Sequence, residues 1–169
     1  LNPNEITVAE ILKEQGYVTK CIGKWHLGDH PEFMPTNHGF DSYYGIPYSN
    51  DMNRKEIPLP LVRDLEVIED GVQRDETITE KYTTEAVNFI KENSNKPFFL
   101  YLPHTAVHLP LVPGKRFKNT SSNGPYGDWV NEVDWSMGEL FKTIKELGID
   151  ENTLVLFTSD NGSAREKQG

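Results

Sequence analysis

Of the 169 residues one is cysteine, Cys21, so the chain can hold no internal disulfide framework and no zinc site built on several thiolates. Long apolar runs are missing too: nothing approaches the ~20 residues needed to cross a bilayer, and no low-complexity tract marks an unfolded chain. Basic residues are in short supply. Seventeen Lys+Arg against 26 Asp+Glu leave a formal charge of −9, which argues against a nucleic-acid partner and requires any anionic ligand to be gripped by a local cluster. Residues 1–5 lack an initiator Met and a charged-then-apolar leader, a pattern expected of a processed chain or of an internal piece of a longer one. What remains, 36% hydrophobic and 25% charged over 169 residues, suits one compact folded unit.

The punctuation predicts the order of elements. Thr7 and Glu10 have capping-box spacing, Val8, Ile11 and Leu12 follow at helical intervals, and Gly16 offers a stop. Residues 17–22 read as a strand that runs into Gly23-Lys24-Trp25-His26-Leu27-Gly28. From there to about Gly71 the sequence is loop-like and broken by prolines, a length that predicts a functional region or a small sheet. Thr77 and Glu80 repeat the capping-box spacing ahead of a helical face of Ile78, Tyr82, Ala86, Phe89 and Ile90. Pro97 introduces a buried strand over residues 98–102, and residues 114–127 read as an exposed connection. Trp129, Val133, Met137, Leu140, Phe141, Ile144 and Leu147 form an apolar stripe closed by Gly148, and residues 153–158 read as a last strand. This alternation predicts an α/β fold, a mostly parallel sheet flanked by helices. Each predicted strand ends in polar chemistry: Lys24 and His26, then His104 and His108, then Asp160 and Asn161. Ligands of open α/β sheets bind at the carboxyl edge, so three distant segments are expected to converge there.

Lys24 and His26 lie two apart, and an extended backbone would direct both to one side, an ammonium for an anion beside an imidazole for a proton. The plainer alternative is a glycine-bounded turn with Trp25 packed in the core. His104 and His108 have the spacing of a helical zinc pair, but Pro103 and Pro110 oppose a helix there. That leaves a single histidine contacting an anion or leaving group, or a loop histidine bonded to backbone. Asp160-Asn161-Gly162 offers adjacent oxygens to a hard cation such as calcium or magnesium, or forms a tight turn. Asn119-Thr120-Ser121 matches the glycosylation pattern of secreted proteins, while His30 and His38 have no evident role.

Together these segments resemble the sulfatase family, arylsulfatase-like hydrolases of the alkaline phosphatase superfamily. The likeness rests on residues 16–28, then Gly39-Phe40-Asp41, residues 45–51, residues 97–101 leading to His108-Leu109-Pro110, and Ser159-Asp160-Asn161-Gly162, all in the family's order. The resemblance implies an alkaline-phosphatase-like fold, present here incomplete. It implies that Lys24 binds the sulfate oxygens, that His26 orients the nucleophile and helps take its proton, and that Ser49 is a lesser sulfate contact. It implies that His108 binds sulfate and assists the leaving alcohol, and that Asp160 and Asn161 are two calcium ligands. His104 has no counterpart in that scheme. The family's nucleophile is a formylglycine made from the Cys of a Cys-x-Pro-x-Arg motif, which this sequence lacks. Cys21 is followed by Ile22-Gly23-Lys24-Trp25 and reads as a core strand residue. Also missing are the paired aspartates expected before the nucleophile and a second sulfate-binding lysine. Residues 1–169 are therefore expected to be the central part of a sulfatase catalytic domain, inactive alone, whose full form cleaves a small-molecule or carbohydrate sulfate ester in a lysosomal, secreted or periplasmic setting. Two rivals stay open: a phosphomonoester or phosphonate hydrolase of the same superfamily, and a non-catalytic module that binds sulfated ligands. Residues 58–71 are the segment within the chain expected to bear on substrate choice.

Overall fold

The computed structural model describes residues 1–52 and 58–162. Helix α1, Val8–Glu14, begins with the expected capping box: the Thr7 hydroxyl accepts from Glu10 N, and the Glu10 carboxylate accepts from Thr7 N. Gly16 closes it at φ 83°, in the left-handed region that glycine tolerates. Strand β1, Val18–Lys24, follows at once and becomes the centre of the chemistry.

The stretch read as loop holds a strand of its own, β2, Ser42–Ile46, parallel to β1. Its Tyr43 and Tyr44 are β-formers, but proline-rich neighbours and glycines hid them from a reading by composition. Strands β3, Pro60–Arg63, and β4, Glu66–Asp70, then form a hairpin that adds an antiparallel edge. Helix α2, Ile78–Asn93, precedes β5, Phe98–Tyr101, and helix α3, Gly124–Glu146, completes the core. The sheet order is β4-β3-β2-β1-β5, with a parallel heart of β2, β1 and β5. The mixed α/β sheet flanked by helices agrees with the expected class, and the hairpin makes half of its ladders antiparallel.

Alternation along β1 and β2 divides the core between two faces. Ile22, Tyr44 and Ile46 face α2 and α3, packing with Leu61, Tyr82, Ala86, Ile90, Leu140 and Ile144. Cys21 and Tyr43 face the other way, with Ala9 of α1, Trp25, Met34 and Phe40. Cys21 is fully buried, as read from the sequence, and burial pushes its thiol well above the ordinary range, so it is no nucleophile.

Three local expectations fail for physical reasons. Thr77 does not form a second capping box; its N–H and hydroxyl both donate to Asp75 Oδ1, at 2.8 and 2.6 Å, which draws the side chain out of capping position. The apolar stripe of α3 is only partly buried. Phe141 and Leu147 are exposed, and the face against α2 instead buries Glu132, Ser136 and Thr143 among Trp129, Leu140 and Ile144. Residues 153–158 form no strand, and Leu154, Leu156 and Phe157 stand 84, 82 and 72% exposed. A strand needs a neighbour for its hydrogen bonds, and among the described residues none lies beside this one.

Candidate functional site

The carboxyl ends of β2, β1 and β5 are drawn unusually close by two glycines. Gly23 and Gly45 face each other in the β1–β2 register, and a Cβ on Gly45 would strike the Gly23 carbonyl. A Cβ on Gly23, whose φ is 130°, would strike the Pro103 carbonyl just beyond β5. The exits are then tied backbone to backbone. Lys24 N donates to Pro103 O at 2.8 Å, Trp25 N to Ile46 O at 3.0 Å and His26 N to Pro47 O at 3.0 Å. The Tyr43 hydroxyl donates to Gly23 O at 3.1 Å from beneath.

On this edge Lys24 is half-buried and His26 exposed, with Trp25 between them sunk into the core. The indole donates to Phe33 O at 2.7 Å and its ring stacks against buried His38. The plain reading thus holds for Trp25, whereas the two flanking residues stay available. His26 sits at φ 56°, so the extended alternation invoked for the pair stops after Lys24, and a left-handed turn rather than strand geometry sets the imidazole's direction. Among the described residues the Lys24 ammonium has no carboxylate partner, although the chain carries an excess of acid.

The loop after β2 brings buried Ser49 to His108, with Ser49 Oγ and His108 Nδ1 3.3 Å apart. His108 Nδ1 also lies 2.7 Å from Leu109 O. A carbonyl can only accept, so Nδ1 carries a proton and Nε2 is the ring nitrogen left to face a ligand. Asn50, 5% exposed, donates through Nδ2 to Pro110 O at 3.4 Å and ties the same two loops. His104 and His108 have different partners, Ser136 for the first and Ser49 for the second.

Asp160 and Asn161 are exposed beyond the unpaired segment, where Ser159 Oγ donates to Asn161 O at 2.5 Å. Burial pushes the Tyr101 phenol up. No hydrogen bond among the described residues joins Asp160 or Asn161 to Lys24, Ser49 or His108. Adjacent carboxylate and amide oxygens are the right chemistry for calcium, but two residues fall short of its usual ~6–8 oxygens.

A family model described as Sulfatase matches residues 1–169. The chain belongs to the sulfatase family. It is 40% identical over 173 residues to the N-acetylgalactosamine-6-sulfatase of Canis lupus familiaris, covering 95% of this chain and 33% of that protein. It is 36% identical to arylsulfatase A of Homo sapiens, over 94% of this chain and 36% of that protein. It therefore spans about a third of these relatives. Among solved structures, one described under the metabolism of multiple glycosaminoglycans by Bacteroides thetaiotaomicron superposes with a TM-score of 0.80 at 26% identity, covering 90% of this chain and 44% of that one. The PsFucS1 sulfatase of Pseudoalteromonas sp. gives 0.73 at 27% identity, covering 85% of this chain and 35% of that one. Lys24 N and His26 N are tied to the chain just beyond β5 and β2, and Ser49 is paired with His108. The contacts of Tyr43 and Asn50 are not legible in the sequence without β2, the strand that holds Tyr43 and leads to Asn50; the apolar pattern of Tyr43, Tyr44 and Ile46 is the available signal.

Proposed function

We propose that residues 1–169 are the central part of a sulfatase catalytic domain and form the sulfate-gripping wall of its active site. The whole protein would hydrolyse a sulfate monoester by attack of a formylglycine nucleophile supplied from outside these residues. What supports this reading is that Lys24 N is bonded to Pro103 O at the exit of β5 and Ser49 Oγ lies 3.3 Å from His108 Nδ1 in the loops that follow β2 and β5, while among the described residues the Lys24 ammonium has no carboxylate partner.

The chemistry follows from the groups. A sulfuryl group in transfer gathers negative charge on its oxygens, and a preplaced ammonium and hydroxyl stabilise that charge without reorganising at the moment of reaction. Lys24 and Ser49 have those roles. His108, with its Nδ1 proton held by Leu109 O, presents Nε2 to the leaving oxygen and in its imidazolium form donates a proton there. His26, turned outward at φ 56°, is the base beside the incoming nucleophile. Asp160 and Asn161 would hold part of the calcium shell, and the ion when bound would add Lewis-acid stabilisation of the sulfate oxygens. The names of the relatives, N-acetylgalactosamine-6-sulfatase among them, and a neighbouring structure in complex with k-i-k-neocarrahexaose favour a sulfated carbohydrate as substrate. A lysosomal, secreted or periplasmic setting follows from the same likeness, and no helix of the described residues is long and apolar enough to cross a membrane.

The test is turnover by the protein isolated at its native length, with matched sulfate and phosphate monoesters, together with peptide mapping for an oxidised Cys in Cys-x-Pro-x-Arg. Preference for the sulfate ester together with a formylglycine peptide supports the reading. Preference for phosphate would place the chain among phosphomonoester hydrolases, and binding of sulfated ligand without turnover would make it a binding module.

A further inference from the structure

The residue left unused by this scheme is His104, and its surroundings are specific. It lies one residue beyond Pro103, whose carbonyl holds Lys24 N, and four before His108. Its ring turns away from the ligand edge toward the helices, where Nε2 lies 3.4 Å from Ser136 Oγ of α3, long for such a bond, and the ring lies 6.4 Å from that of Tyr82 of α2. Nδ1 is sealed from solvent with no hydrogen-bond partner among the described residues. Ser136 Oγ lies 2.6 Å from Thr83 Oγ1, which is 2.7 Å from Thr79 O.

Counting protons orders this row. Thr83 Oγ1 donates to Ser136 Oγ, and a hydroxyl oxygen has a second lone pair, which is left to accept from His104 Nε2–H. The opposite direction would leave Nδ1–H a buried donor with no acceptor, which costs more than a bare lone pair on Nδ1. The next residue, Thr105, is 4% exposed and lies hydroxyl to hydroxyl with Tyr82 at 3.3 Å, and Thr105 O accepts from His108 N at 3.1 Å. The loop is therefore rooted in α3 by His104 and in α2 by Thr105, and the turn bearing His108 stands on those roots.

We propose that His104 is a positioning residue: as the neutral Nε2–H tautomer it anchors the loop to Ser136 and so fixes His108 against Ser49 and the Lys24 edge. This rests on the reading of His108 as the group that assists the leaving oxygen. Burial lowers the His104 imidazole to about 4, which keeps it neutral through the working range of acidic compartments.

The experiment compares His104→Leu, His104→Gln and Ser136→Ala in the native-length protein. Its readouts are kcat and KM on an aryl sulfate, the pH titration of the His108 ring by NMR, and thermal unfolding. Leucine removes the donor, whereas glutamine returns an N–H near the place of Nε2. The expected result is a loss of about 10²-fold in kcat for His104→Leu with KM little changed, since misplacing a catalytic group by about 1 Å costs that much. A shifted His108 titration and substantial rescue by glutamine should accompany it. Wild-type kcat and an unmoved His108 titration in His104→Leu would overturn the proposal, and so would a glutamine variant as impaired as the leucine one. If the wild-type protein turns over no sulfate ester, the proposed function fails, and the His108 titration still decides positioning by itself. If His104→Leu does not fold, Ser136→Ala decides by the same pair of readouts.

Discussion

Lys20 and Lys24 lie four residues apart on β1 and meet opposite fates. Lys20, with its side chain 11% exposed, donates to Glu85 Oε1 at 2.6 Å, and Arg63 grips the same carboxylate through both its NH groups at 2.7 and 2.9 Å. Arg63, Lys20 and burial act together on Glu85, and the cations win, holding it down to about 2. Lys24, at the end of the strand, has no such partner among the described residues. Among the described residues the middle of β1 closes its charge internally and its carboxyl end leaves one open. An ammonium drawn partly out of water without a carboxylate partner is the ground on which Lys24 is proposed to hold an anion.

The contrast can be broken by substitution. On the open side, His108→Ala in the native-length protein should lower kcat/KM by about 10³-fold, within the range of general acid–base groups, while thermal unfolding stays near that of wild type. On the closed side, Glu85→Ala strands Lys20 and Arg63 and should cost roughly 3 kcal/mol of stability by denaturant unfolding, with kcat unchanged in the surviving folded protein. The depressed folded pKa of Glu85 adds a pH signature: its contribution is complete above about 4.5 and is lost as pH falls toward 2.

His104 sharpens the same comparison from a third position, because it acts in the same direction in the next window up. Its folded value of about 4 lies below the 6.5 of the free imidazole, so the unfolded chain binds the extra proton between these two. Stability therefore falls as pH drops from 6.5 to 4 and levels below that, by at most about 3 kcal/mol. His104→Leu should remove that slope from a plot of unfolding free energy against pH. The smallest effect belongs to Lys142 and Glu146, a helical pair 3.9 Å apart with both side chains more than 60% exposed. Lys142→Ala should change stability by less than about 0.5 kcal/mol.

Much of this was legible before any coordinates. The capping box at Thr7, the glycine stop at Gly16, β1 and β5 follow from local rules that tertiary contacts did not override. The sequence predicts Lys24, His26, His104, His108, Asp160 and Asn161 at strand ends, and the structure ties Lys24 and His26 through backbone hydrogen bonds to the chain just beyond β5 and β2. What stayed hidden depends on partners distant in sequence. Strand β2 is fixed by its ladder to β1, and Thr77 is drawn from its cap by Asp75. The buried face of α3 carries Glu132 and Ser136 because they meet Gly114 N and the Thr83–His104 row. Residues 153–158 have strand composition, yet composition cannot supply the neighbouring strand that would pair with them.

On the proposed function, the end of β1 is built to hold an anion while its middle is built to hold the fold. The most direct measurement sets Lys24→Ala beside Lys20→Ala in the native-length protein, with sulfate-ester kcat/KM and thermal unfolding recorded for each. Lys24→Ala is expected to lose at least about 10²-fold in kcat/KM at an unchanged midpoint, and Lys20→Ala to lower the midpoint at nearly unchanged kcat/KM. Wild-type turnover in Lys24→Ala, or the two variants losing activity and stability alike, would contradict this reading.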